Sequence, residues 1–360
     1  MRIAIVTDAW HPQVNGVVTT LGKTAAVLGE AGHEVVVINP GMFKTFPCPT
    51  YPEIRLAMLP GRKIRELLDA FAPDAIHIAT EGVLGWSARG YCRKNGLRFT
   101  TSYHTRFPEY VRLRFPIPLR FTYAFMRRFH SAATRTMVVT DGLRAELTQY
   151  GFRNLALWFR GVDTEIFRPR AKEFLSDQRP ISMFVGRVAV EKNIEEFLKL
   201  DLAGTKYVVG DGPALPDMKT RYPGVRFTGY KKGEELARHL AAADVFVFPS
   251  RTDTFGLVML EALACGLPVA AYPVTGPRNI IQQGVTGFLS EDLHEAVQEA
   301  LQLDGRRCRA FAEKFSWGKC TSQFFNNLCI PAAGKNRVNI AEMLLRPDPV
   351  SCQRSLEERG

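Results

Sequence analysis

Short β-branched runs alternate with amphipathic helical stretches along this chain, and the alternation is played through twice. This pattern constrains the fold most, because strands connected through helices build parallel sheets covered on both faces. In the first series strands are predicted at Ile3 to Thr7, Glu34 to Ile38, Ala75 to Ala79, Arg98 to Thr101 and Thr136 to Val139. A second series follows the Pro-, Arg- and Lys-containing segment Phe167 to Pro180, with strands at Ile181 to Val185, Lys206 to Val209, Val225 to Thr228, Val245 to Phe248 and Val269 to Ala271. Gly32 stands where a helix would end before the second strand, and Pro73 closes the helix before the third. The expected class is α/β: one Rossmann-like domain over 1–168 and a second over 169–315. A C-terminal helix over 316–330, free to return to the first domain, and a tail over 331–360 complete the chain. A length of 360 residues suits two cores rather than one.

Composition narrows the classes further. A hydrophobic share of 46% and a charged share of 23% are those of a globular protein, which excludes disorder and fibres. The seven cysteines stand singly, with no Cys-x-x-Cys pair and no ligand-like histidine spacing, so neither a structural zinc nor a disulfide framework is expected and the compartment reads as reducing. Residues 1–8 read as a first strand rather than a signal peptide. The most apolar stretch, Gly256 to Val274, is broken by Glu261, Gly266, Pro268 and Pro273 and falls short of a membrane span. The net charge of +11 is uneven: residues 1–168 carry 22 Lys and Arg against 13 Asp and Glu, the remainder 25 against 23. The basic excess therefore belongs to the first half, where it suits an anionic membrane, nucleic acid or mere solubility.

Ligands of doubly wound domains sit at the carboxyl ends of the strands, which directs attention to the loops there. After Pro249 comes Ser250-Arg251-Thr252-Asp253-Thr254-Phe255-Gly256, and a helix opens near Gly256 with Leu257 and Val258. Its first amides are unpaired at the positive end of the helix dipole, a setting for a diphosphate. Glu261, on the same helix, is placed to accept from ribose hydroxyls. The plain alternative makes Asp253 an N-cap and Glu261 a solvated residue. Arg187 and Lys192 follow the first strand of the second series, where a planar fork and a compact charge would meet phosphate oxygens; taken singly they read as surface charges. The turn Val209-Gly210-Asp211-Gly212-Pro213 is by itself only a tight strand-to-helix connection.

The string Asp253, seven residues, Glu261, then Ala-x-Ala-x-Gly-x-Pro-Val resembles the Glu-x7-Glu signature of glycosyltransferase family 4, retaining enzymes with the GT-B fold. Gly186-Arg187 with Glu191-Lys192-Asn193 resembles the family's diphosphate clamp, and Thr228-Gly229-Tyr230-Lys231 its base-recognition turn. The resemblance spans roughly residues 1–329. It implies two facing Rossmann-like domains, a nucleoside diphosphate sugar gripped by Arg187, Lys192, Thr254, Phe255, Gly256 and Leu257, and nucleobase contacts from the backbone of Tyr230 and Lys231. It further implies that Asp253 and Glu261 hold sugar and ribose hydroxyls, that Gly16 approaches the donor phosphate across the cleft, and that His104 touches the transferred sugar. Catalysis would rest on His104, Asp253, Arg187 and Lys192, with no cofactor or metal. Asp253 is one methylene shorter than the family's usual Glu.

The acceptor side is read from residues 101–135, where Arg106, Arg112, Arg114, Arg120, Arg127, Arg128 and Arg135 face a single acid, Glu109. Phe107, Tyr110, Phe115, Phe121, Tyr123, Phe125 and Phe129 are interleaved. Such a segment suits an anionic bilayer, with arginines at the headgroups and aromatic edges at the interface; the plain alternative is a helix with core aromatics and solvated arginines. The expectation is a UDP-sugar donor, a lipid or lipid-linked acceptor such as diacylglycerol, and a cytoplasmic enzyme peripheral to the inner face of the membrane. GDP-mannose, a soluble acceptor, or a non-catalytic nucleotide-sugar-binding protein are the alternatives. No nucleic-acid-binding module accompanies the arginines, and the absence of Gly-x-Gly-x-x-Gly after the first strand argues against a dehydrogenase.

Overall fold

The structure, a computed structural model, describes residues 1–329 except 14, 49, 50 and 254, and the backbone alone at 51–53, 110, 113 and 114. The expected tail over 331–360 lies outside the described residues. The first half runs β1 (Arg2–Val6), α1 (Gly16–Glu30), β2 (Glu34–Ile38), β3 (Thr45–Cys48), β4 (Tyr51–Ala57), α2 (Gly61–Phe71), β5 (Ala75–Ile78), α3 (Val83–Lys94), β6 (Thr100–Ser102), α4 (Phe107–Arg114), α5 (Leu119–His130), β7 (Arg135–Val138), α6 (Asp141–Gln149) and β8 (Leu155–Leu157). Six of these strands form a parallel sheet in the order β2-β1-β5-β6-β7-β8, while β3 and β4 pair separately as an antiparallel hairpin.

The second half repeats the plan with β9 (Ile181–Val185), α7 (Ile194–Lys199), β10 (Thr205–Val209), α8 (Leu215–Arg221), β11 (Arg226–Gly229), α9 (Gly233–Ala242), β12 (Val245–Phe248), α10 (Leu257–Ala264), β13 (Val269–Ala271), α11 (Thr275–Arg278), β14 (Gly287–Leu289), α12 (Leu293–Ala300), α13 (Gly305–Ala312) and α14 (Trp317–Asn327). Its parallel sheet is ordered β11-β10-β9-β12-β13-β14. Both orders reverse beside the first strand of their half. The crevices therefore open after β1 and β9, where the Gly16 and Arg187 loops begin.

The strands are short and apolar because helices cover them on both sides. Every residue of β9 and β12 is buried, as are Ile3 to Val6 of β1. The edge strands β8 and β14 and the β3–β4 hairpin were not expected. The two edges are three residues each, too short to show a period against their flanks.

The last helix crosses back onto the first sheet's domain. Phe324 of α14 is fully buried against Trp158, with ring centroids 4.8 Å apart. Asn327 Nδ2 donates to the Leu157 carbonyl at 2.7 Å, and Arg135 Nη1 donates to that of Asn326 at 2.9 Å. The returning chain lies beside the outgoing one: Val162 N donates to the Phe315 carbonyl at 2.9 Å. Arg309 Nη1 braces the same place through the carbonyls of Thr164 at 3.0 Å and Phe167 at 2.8 Å. Among the described residues the six cysteines are unpaired, and no helix is long and apolar enough to cross a membrane.

Candidate active site

In the second half, β9 delivers Gly186 and Arg187 at its carboxyl end, and a turn over Val190–Lys192 places Lys192 two residues before α7. The neighbouring turn after β10 is laced to this loop by the backbone: Val188 N donates to Asp211 O at 2.9 Å, and Ala214 N to Val188 O at 3.1 Å. The Asp253 loop joins from β12. Lys192 Nζ donates to Asp253 Oδ1 at 2.6 Å, and Thr252 Oγ1 donates to the Glu191 carbonyl at 3.2 Å. Asp253 Oδ2 is buried without a hydrogen-bond partner. A buried carboxylate oxygen left this way is costly and suits a ligand hydroxyl. Arg187 lies 3.9 Å from Glu191 Oε1 and stays one-third exposed at the same turn.

Asp253 is therefore not the cap of α10. That place belongs to Gly256, at φ +81°, and no side chain caps the helix. A Cβ at Gly256 would stand 2.8 Å from Met259 Cε and 2.9 Å from the Phe248 ring, so both conformation and space call for glycine. The expected anion-binding amides of Phe255, Gly256 and Leu257 sit at this end; Thr254 lies outside the described residues. Glu261, one turn in, is partly buried, and loss of hydration pushes its carboxyl up to about 7. Its charge is felt by Tyr230, whose phenol is raised by burial first and by Glu261 second. Lys231 turns its side chain to Glu235 on α9 and leaves only its backbone for a base.

Across the cleft, Asn15 caps α1 by accepting from Val17 N and Val18 N, each at 3.0 Å, which sets Gly16 at the helix entrance. Asp8, buried just after β1, accepts from Leu84 N at 2.8 Å and Thr80 Oγ1 at 2.9 Å, and burial raises its carboxyl. His104, two residues beyond β6, is 8% exposed. Its Nε2 lies 2.8 Å from Ser102 Oγ and its Nδ1 2.9 Å from Arg160 Nη2. Behind it, His77 Nε2 lies 3.1 Å from Ser102 Oγ and His77 Nδ1 2.9 Å from Thr100 Oγ1. Burial lowers both imidazoles, His77 to about 3 and His104 well below its ordinary value, with the Arg160 charge as second cause; both rings are neutral. Arg160 itself is pushed down to about 10 by burial and remains a cation at neutral pH. Neither Arg160 nor His77 was expected from sequence, since each is a lone residue outside any spacing pattern.

The basic segment divides. Arg106, expected at a membrane, is instead a partly buried bridge: its guanidinium binds Glu146, lies 3.8 Å from Glu109, and donates to Thr275 Oγ1 on α11 at 2.8 Å. Two carboxylates and a hydroxyl already engage it. A second contact between the halves joins Gly142 N on α6, the helix that carries Glu146, to Asn279 Oδ1 just past α11 at 3.3 Å. Arg112, Arg120, Arg127 and Arg128 are exposed, Arg127 with one nitrogen on the Tyr150 carbonyl; the side chain of Arg114 lies outside the described residues. Of the aromatics, Tyr123 and Phe129 are core, while Phe115, Phe121 and Phe125 are 55%, 56% and 46% exposed. A cavity of about 400 Å³ between α5 and α6 is lined by Arg120, Arg127, Gln149 and the stacked rings of Tyr123 and Tyr150. Among the described residues no group of three or more His, Cys, Asp and Glu could hold a metal ion.

Residues 14–166 match the family model described as Glycosyltransferase Family 4, and residues 179–303 match that described as Glycosyl transferases group 1. The chain is 33% identical over 344 residues to sulfoquinovosyl transferase SQD2 of Arabidopsis thaliana, spanning 83% of this chain and 67% of that protein. It is 32% identical over 315 residues to a GDP-mannose-dependent alpha-mannosyltransferase of Mycobacterium tuberculosis, spanning 80% and 83%. Among solved structures, sucrose-phosphate synthase from Thermosynechococcus elongatus superposes with a TM-score of 0.72 at 21% identity, covering 90% of this chain and 97% of that one.

Proposed function

This chain belongs to glycosyltransferase family 4 and has the GT-B fold; from that premise we propose that it moves a hexose or hexuronic residue, with retention, from a UDP-sugar to a membrane lipid or glycolipid such as diacylglycerol. The observation that carries the donor half is the Lys192–Asp253 pair beside the uncapped start of α10, with one Asp253 oxygen unpartnered. A departing diphosphate would take up Arg187, Lys192 and the α10 amides, each charge-assisted bond contributing about 1.5–3 kcal/mol. Asp253 Oδ2 would then accept from a sugar hydroxyl, and Glu261 with Tyr230 would line the nucleoside end. Transfer proceeds on one face of an oxocarbenium-like sugar, with the diphosphate leaving from the side on which the acceptor arrives. Cationic side chains do the work often given to a divalent ion, so no metal is required.

The acceptor half rests on the exposed Phe115, Phe121 and Phe125 set among Arg112, Arg120 and Arg128. That surface suits an anionic bilayer at the cytoplasmic face. The mannosyltransferase relative supports GDP-mannose as a second donor reading.

A panel of nucleotide sugars assayed with membrane lipid extract, in EDTA, tests the reading. We expect one UDP-sugar to give a lipid product, and Arg187→Ala to lose at least about tenfold in kcat/KM, about 1.4 kcal/mol. Strict dependence on added divalent ion, or undiminished transfer by Arg187→Ala, would refute the donor chemistry.

A further inference from the structure

Arg160 is a buried cation with no carboxylate partner among the described residues. It is 7% exposed and held by the Trp158 carbonyl at 3.0 Å, the Trp158 ring at 4.5 Å and His104 Nδ1 at 2.9 Å. A charge kept in the interior without a counter-charge is expensive, which makes its contact with His104 worth following.

The hydrogen bonds around it have a forced direction. A guanidinium can only donate, so His104 Nδ1 must accept, and the neutral ring carries its proton on Nε2. That Nε2–H donates to Ser102 Oγ. Ser102 gives its own proton to the Ala79 carbonyl at 3.2 Å, so its second lone pair receives His77 Nε2–H, and His77 Nδ1 accepts from Thr100 Oγ1. Every member is satisfied with one assignment of protons, and Arg160 sets it from one end. Phe324 of α14 closes the far side against Trp158 and His77, with centroids at 4.8 and 4.9 Å.

We infer that Arg160 is a positioning residue of the transfer reaction, fixing His104 as the Nε2–H tautomer in one ring orientation at the carboxyl end of β6. The inference rests on the reading of His104 as a donor-site residue. One consequence is that His104 has no lone pair with which to take a proton from an acceptor hydroxyl; it serves as an oriented neutral ring.

The test is ¹⁵N NMR of histidine-labelled full-length protein, the His104 signals being identified by their loss in His104→Gln, together with transfer kinetics. In wild type Nδ1 is expected unprotonated and Nε2 protonated. Arg160→Met is expected to convert this signature to a mixture of tautomers and to lower kcat by about tenfold or more with donor KM little changed, as when an orienting partner is lost elsewhere. Arg160→Lys, which keeps a donor, should restore the signature and part of kcat. His104 signals in Arg160→Met identical to wild type, or wild-type kcat in that variant, would overturn the inference. Should Arg160→Met not fold, Ser102→Ala decides: the signature is expected to persist because Arg160 still donates, and its loss overturns the assignment. Undiminished transfer by His104→Gln would instead sink the underlying reading of His104, whatever its tautomer.

Discussion

Glu261 holds its proton to about pH 7 because its place on α10 strips the carboxyl of much of its hydration, and this couples stability to donor binding with opposite signs. The folded chain binds that proton more tightly than the unfolded one, whose carboxyl titrates near 4.5. The stabilisation is therefore complete below that pH and is lost as pH rises through about 7. Ribose hydroxyls prefer the ionised acceptor, so donor KM should fall between pH 6 and 8, and Glu261→Gln should flatten that profile; an unaltered slope in the variant would remove Glu261 from the nucleoside site. Lys192, Asp253 and Glu261 were legible in the sequence because each occupies a fixed offset in a dense string. The Arg160–His104–Ser102–His77 chain was not: its members come from three separate stretches, and nothing local marks a residue that only folding brings to a neighbour. Arg106 was misjudged for the same reason, since its partners Glu146 and Thr275 lie 40 and 169 residues away.

Helix α5 serves two environments at once. Tyr123, Met126 and Phe129 face the core, while Phe121 and Phe125 are turned outward between Arg120 and Arg128. Replacing Phe121 and Phe125 with Ser should weaken binding to anionic vesicles by about two orders of magnitude or more, at about 1.5 kcal/mol or more per lost aromatic insertion. Donor hydrolysis in solution should be retained, because both rings are about half exposed and Phe125 meets the core at its rim alone, against Trp86 with ring centroids 5.2 Å apart. Sedimentation with vesicles at low and physiological salt measures the first; equal binding by wild type and variant would dismiss the membrane role. At this scale the sequence served well for the central strands, whose β-branched residues are buried on both faces. It failed at β8, β14 and the hairpin, where pairing partners rather than composition decide whether a segment extends.

The halves of the molecule touch through Arg106 and Thr275, and the contact reaches the donor loop. Gly276, next to Thr275, leaves no room for a side chain, since a Cβ there would stand 2.7 Å from the Asp253 carbonyl. Thr275→Val should therefore loosen the placement of the Gly16 entrance against Asp253 and lower kcat about fivefold, roughly 1 kcal/mol for one hydrogen bond. The melting temperature should hold, because each core is intact; an unchanged kcat would show that the bridge does not serve the reaction. The return of α14 to the first half could be suspected from a final helix, but its seat on Trp158 depends on rings brought together only in three dimensions. The backbone passes between the halves twice, and the passages lie side by side where Val162 meets Phe315. A gate hung on two pins swings about the line joining them and cannot spin, so widening of the crevice is confined to a single arc, and cutting either pass would turn that swing into a loose swivel.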